Sequence, residues 1–158
     1  MKKFSTEIKW GIIFTIVGLI WVVFEKLMGW HSEHIADHGL YTNIFAIVAI
    51  GVFVLALREK RDKDYDGLMT WKEGLISGFI ISLVIMVLTP LSQYITYHLI
   101  SPDYFTNAID AAVANKHSTQ ETAEALFNFN SYMMISTLSA PSFGILTAAI
   151  VAYVVKTK

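Results

Sequence analysis

Residues 30–39 read WHSEHIADHG, which places His31, His34 and His38 within eight positions, with Glu33 and Asp37 between them. Imidazole and carboxylate in one short stretch are the donors of a first-row divalent metal site, zinc first among the candidates. On a helix over 31–38 the three histidines fall on one stripe at i, i+3 and i+7, and the two acids point elsewhere. Ser32 suits the N-cap of such a helix and Gly39 the residue that ends it. The outer two histidines would then stand about 10 Å apart along the axis. One ion is therefore expected on the pair His34 and His38, with His31, His98 or Glu25 completing the set. Without metal, the same cluster gains charge as pH falls through roughly 6.5. A solvated loop, its imidazoles bonded to water and to neighbouring acids, is the leading account of the stretch, and metal or a pH response the alternatives.

The order His34-Ile-Ala-Asp37-His38 approximates the H-x-x-E-H arrangement of some zinc peptidases, with the shorter Asp in place of Glu and no third ligand assigned. No phosphate-cradling glycine loop or dinucleotide fingerprint is present. The chain therefore reads as non-enzymatic and without a cofactor, zinc being the alternative. It contains no cysteine, which excludes disulfides, thiolate metal sites and cysteine nucleophiles.

The elements that must position these residues are apolar. Of 158 residues, 54% are apolar and 16% charged, against about a quarter charged in an ordinary soluble domain. The apolar residues form four blocks, about 8–28, 40–57, 74–100 and 131–155. Each is near or above the roughly 20 residues that cross a hydrocarbon core about 30 Å thick. The expected fold is all-α, a single domain over 1–158: an integral membrane bundle of four transmembrane helices. The first block follows MKK, as a signal peptide would, but lacks a small-residue cleavage site, so a retained span is expected.

The basic residues choose a side. Lys2, Lys3, Lys9, Arg58, Lys60, Arg61, Lys63, Lys72, Lys156 and Lys158 fall with the termini and the middle loop, and only Lys26 and Lys116 fall opposite. With six acids on the first side and seven on the second, the two faces carry formal charges of +4 and −5. The positive-inside rule then puts both termini in the cytoplasm and all five histidines in the outer half.

Between the second and third blocks, the charge run from Arg58 reads as a solvated loop, and Asp66-Gly67 signals a turn. Thr70 followed by Glu73 has capping-box spacing, which starts the third helix near Trp71. Ser101-Pro102 ends the third helix, and segment 101–130, long for a loop, should form a small extracytoplasmic helical cap between helices 3 and 4. Tyr104, Phe105, Ala108, Ile109, Ala112 and Val113 make one helical stripe there. A second cap helix, started by Ser118 with Glu121, is expected to run toward the fourth span.

Small residues recur at helical spacing within the spans. The first carries Gly11, Thr15, Gly18 and Glu25 along one stripe, the third Gly74, Gly78 and Ser82, and the fourth Ser136, Ala140, Gly144, Ala148 and Ala152. Such rows let backbones approach in lipid, and the partner helix can belong to the same chain or to a second copy. Pro90 should kink the third span. Glu25, Asn43 and Gln93 share a depth and would together make a polar outer-leaflet site.

The segments EIKWGIIFTIVGLIWVVFEKLMGW, YTNIFAI, YDGLMTWKEGLISGFIIS and SPDYFTNAIDAAVANKHSTQETAEALFN resemble the domain-of-unknown-function 4199 family of small bacterial membrane proteins. The resemblance spans nearly the whole chain. It implies a four-span membrane protein of this length and supplies no catalytic residue. The leading functional expectation is a non-enzymatic packing or accessory subunit that self-associates or binds another membrane protein. The alternative is a small transporter, or a metal- or proton-sensing protein with a polar site at the outer face. Membrane lipid, a second copy or another membrane protein are the partners expected. A net charge of −1 points to no nucleic acid.

Overall fold

The computed structural model describes residues 4–158, so Lys2 and Lys3 lie outside the described part. Among the described residues the chain is helical throughout. α1 spans Ser5–Leu27, a 3-10 turn Ile35–Asp37, α2 His38–Thr42 and α3 Phe45–Asp64. α4 spans Trp71–Tyr94 and continues as a π-helical turn over Ile95–Ile100. α5 (Tyr104–Ala114), α6 (Gln120–Leu126) and α7 (Phe129–Val155) complete it. Four stretches are long and apolar enough to cross a membrane: Ser5–Leu27, Ile35–Asp64, Trp71–Ile100 and Phe129–Val155. Large apolar side chains on their outer faces, such as Ile12, Ile16 and Ile20 on α1 and Phe143, Leu146 and Ile150 on α7, are exposed. That is the arrangement lipid demands, with backbone polar groups satisfied inside each helix and hydrocarbon outside.

The small-residue rows of α4 and α7 face each other within one chain. A Cβ built on Gly74 would stand 2.9 Å from the Ala152 Cβ, and one on Gly78 2.3 Å from the Ala148 Cβ. A Cβ on Gly144 would stand 2.6 Å from the Ser82 Cβ. The two antiparallel helices thus match in steps of four, and only glycine permits the approach. Gly11 does the same for α1 against Val84, at 2.5 Å, whereas Gly18 meets only the far edge of the Phe45 ring at 3.9 Å. Ala140 lines a cleft of about 380 Å³ between α3 and α7, as does Gly144.

The middle connection is tighter than its composition suggested. The charged run from Arg58 is helical to Asp64, where a solvated loop was expected. From Glu59 to Asp64 its charges are paired: Lys60 bonds Glu7 at 2.8 Å and Asp64 at 2.7 Å, with Lys60 and Glu7 both buried. Glu59 receives Lys63 at 2.8 Å, the Trp10 indole N–H at 2.9 Å and also Lys9. These contacts lock α1 to α3. The expected turn follows, with Asp66 and Gly67 at positive φ. The capping box is formed as read, Thr70 Oγ1 accepting from the Glu73 N–H. Beneath it lies the core of Phe53, Leu57, Met69, Ile81, Val151 and Val155. The chain end is tied in as well, since Thr157 donates its N–H to the Met69 carbonyl at 2.9 Å.

At the opposite end, α5 and α6 sit between α4 and α7. α6 is capped by Thr119, one residue after the expected Ser118. It does not run into α7: the chain breaks at Phe127 and Asn128, and the Asn128 side chain caps α7 by accepting from the Ser131 N–H at 2.9 Å.

Candidate metal centre

Glu25 lies in the last turn of α1 and only 3% of it is exposed. The chain then reverses. Gly29 takes φ +74°, a conformation that favours glycine. The N–H groups of Ser32 and His34 bond back to its carbonyl at 3.1 and 2.9 Å. This reversal carries His31, 5% exposed, back over Glu25. The 3-10 turn and α2 bring His38 to the same point. The Glu25 Oε2 atom stands 3.3 Å from His31 Nε2 and 3.4 Å from His38 Nε2. One donor atom from each of the three residues lies within 4.8 Å of both others.

Each member is oriented by a second layer of contacts. The Trp21 indole donates to Glu25 Oε1 at 2.7 Å, which leaves Oε2 for the histidines. The Thr42 hydroxyl also turns toward the carboxylate. His31 Nδ1 meets Ser101 Oγ at 2.7 Å, and the Asn107 amide donates to the His31 carbonyl at 2.9 Å. His38 Nδ1 meets the Tyr104 hydroxyl at 3.0 Å. Burial pushes the Tyr104 phenol well above the ordinary tyrosine range, so it stays protonated. Both imidazoles therefore have Nδ1 occupied by a hydroxyl and Nε2 directed at one carboxylate oxygen. A second-layer partner on the far ring nitrogen is the usual setting of a metal-bound histidine.

The two Glu25 edges have the spacing of a cation site, and the edge between the two imidazoles lies within 4.8 Å. Charge-assisted N–H···O bonds run about 2.7–2.9 Å, and the two contacts here are longer. Zinc bonds of about 2.0–2.1 Å at tetrahedral angles put neighbouring ligand atoms about 3.3–3.4 Å apart, the separations found on the two Glu25 edges. Two imidazoles and one carboxylate are a donor set for zinc with an open fourth position, or for other first-row divalent ions.

The site differs from the expected pairing of His34 with His38. His34 is exposed, its ring 3.6 Å from where a Gly29 Cβ would be. The reason is local: residues 28–34 are turns, so no helix stacks His34 under His38. Ser32 caps nothing, and Gly39 lies inside α2. His98 is also elsewhere, stacked on Tyr94 with ring centroids 4.4 Å apart. Asn43 is exposed and donates to the Gly39 carbonyl at 2.6 Å. Gln93 lines a separate crevice with Thr15, Thr89 and Ser136, and its buried Oε1 has no partner among the described residues. The polar site thus keeps Glu25 but neither Asn43 nor Gln93. Tyr104, Ser101, Asn107 and Trp21 were not legible as site residues. Only the apolar stripe of α5 pointed toward Tyr104, and Ser101-Pro102 read as a helix end.

The family model described as a protein of unknown function (DUF4199) matches residues 9–157. The chain belongs to this family. No curated protein and no solved structure matches it. Membership therefore accords with the four-helix membrane architecture and brings no activity to the Glu25–His31–His38 centre.

Proposed function

We propose that this chain is a non-enzymatic membrane protein that binds a divalent cation, zinc foremost, at Glu25, His31 and His38, and serves as a metal sensor. The observation that carries the reading is the separation of 3.3 and 3.4 Å between a buried carboxylate oxygen and two imidazole nitrogens. An intramembrane acid is costly and is retained where it has a partner of use. The ligands come from α1, the reversal after it and α2, while Ser101 and Tyr104 belong to the segment leading into α5. Cation binding would then fasten the end of α1 to the cap. The ten-to-two distribution of basic residues supports a bacterial inner-membrane location with cytoplasmic termini and the site outside.

The test is metal analysis of untagged protein and of its variants. Near-stoichiometric zinc is expected in the unmodified protein and in His34→Ala, with loss in His31→Ala and Glu25→Gln. Equal, substoichiometric metal in all four would overturn the proposal.

An accessory role has one support, the apolar cleft between α3 and α7 lined by Phe45, Ala49, Ala140 and Phe143. A helix of a second copy or of another membrane protein, or lipid, would fill it. The small-residue rows no longer argue for that role, because α4 and α7 use them on each other.

A further inference from the structure

A cavity of about 460 Å³ lies between α2, α5, α6 and the start of α7. Its floor is apolar, with Ala108, Ala111, Ala112, Leu126 and Phe127 among its walls. None of the described residues that line it is Asp, Glu, Lys or Arg. An ion placed there would give up part of its hydration with no fixed countercharge to replace it, so a charged occupant is disfavoured. The cavity is not wholly apolar, because His38, Tyr104, Ser118 and Tyr132 reach it, with Asn115, His117 and Thr122 also in its lining. Ser118 Oγ is buried without a hydrogen-bond partner. A buried hydroxyl left unpaired calls for an explanation, and a ligand group that bonds it is one. The size lies within the range of small-molecule pockets, which are mostly apolar with a few placed polar groups.

We infer that this cavity binds a neutral amphiphile, an apolar chain or ring bearing a hydroxyl or carbonyl that hydrogen-bonds Ser118 beside His38 and Tyr104. Such a molecule partitions into the bilayer, the phase from which it would reach the cavity. The cavity adjoins the proposed metal centre, since His38 lines both, but the inference is carried by Ser118 and the alanine floor, none of which is a proposed metal ligand.

The experiment is photolabelling of the full chain in nanodiscs with a diazirine-bearing long-chain alkanol, followed by peptide mapping. Saturable labelling between residues 104 and 127 is expected. Unlabelled 1-decanol and 2-decanone should compete, and decanoate or decylammonium should compete at least tenfold less. Ala112→Phe fills the cavity and should abolish the saturable label. Leu126→Trp, at an exposed position on the rim, does the same if Ala112→Phe does not fold. Ser118→Ala should weaken binding by about three- to tenfold, the worth of one hydrogen bond. Zinc content, measured on the same variants, should be unchanged, which separates this inference from the metal proposal. Labelling spread over the lipid-facing spans, a label unaffected by the filling variants, or equal competition by the charged amphiphiles would overturn it.

Discussion

Gly78→Ala tests whether α4 and α7 are as close as the fold requires. The new methyl would stand 2.3 Å from the Ala148 Cβ, which cannot rotate away, and 3.3 Å from its Cα. Carbon atoms at rest sit about 3.5–4.0 Å apart, so the helices must part by roughly 1.2–1.7 Å or tilt. Overpacking of this kind costs about 1–3 kcal/mol. At about 2–4 °C per kcal/mol for a chain of this size, the melting temperature in detergent should fall by several degrees. Two companions make the result specific. Gly78→Ala/Ala148→Gly moves the methyl across the interface and should recover most of the loss. Gly51→Ala, where a Cβ meets nothing within 4 Å, should change little. The assay is circular dichroism against temperature in one detergent, with helicity checked at the start. A Gly78→Ala protein that melts with the unmodified chain, or a double variant worse than either single one, would refute the register.

Three further outcomes follow from the same contacts. Lys60→Met removes the partner of the buried Glu7 carboxylate and should destabilise by about 3–5 kcal/mol. Adding Glu7→Leu should restore much of this in chemical denaturation, whereas no recovery would mean that the pair is not what Lys60 supports. In a chain without native cysteine, an impermeant thiol reagent on intact cells should label His117→Cys and spare Asp62→Cys. The reverse pattern would invert the proposed topology. Zinc affinity, measured against a chelator, should fall as pH is lowered, because protons compete for the ligating imidazoles. Affinity independent of pH would exclude histidine ligation.

The sequence displayed what depends on local pattern. Apolar runs of spanning length, the Thr70–Glu73 capping box and the small-residue rows depend on composition and spacing, and each appears in the fold. The facing of Gly74, Gly78 and Ser82 with Ala152, Ala148 and Gly144 was half visible: the rows were plain, and their mutual match needed the third dimension. The proposed cation site was legible as chemistry and misplaced as geometry. WHSEHIADHG offers three histidines, and helical stacking favoured His34 with His38. Gly29 at positive φ replaced that helix with a reversal, which turned His31 inward and left His34 outside. Tyr104 and Ser101 come from about seventy residues further along, and no local period announces such a contact. The charged run after Arg58 misled for a related reason. Its helix persists because the partners of Lys60 and Glu59 include Glu7, Lys9 and Trp10, all on α1.

The central claim is that Glu25, His31 and His38 hold one divalent cation, and X-ray absorption at the zinc edge tests it most directly. Untagged protein loaded with one equivalent of zinc should show two imidazole nitrogens at about 2.0–2.1 Å and a carboxylate oxygen at about 2.0–2.2 Å. His34→Ala should leave that spectrum unchanged, and His38→Ala should remove one imidazole. A shell of light ligands with no imidazole scattering, or a spectrum altered by His34→Ala and not by His38→Ala, would contradict the account.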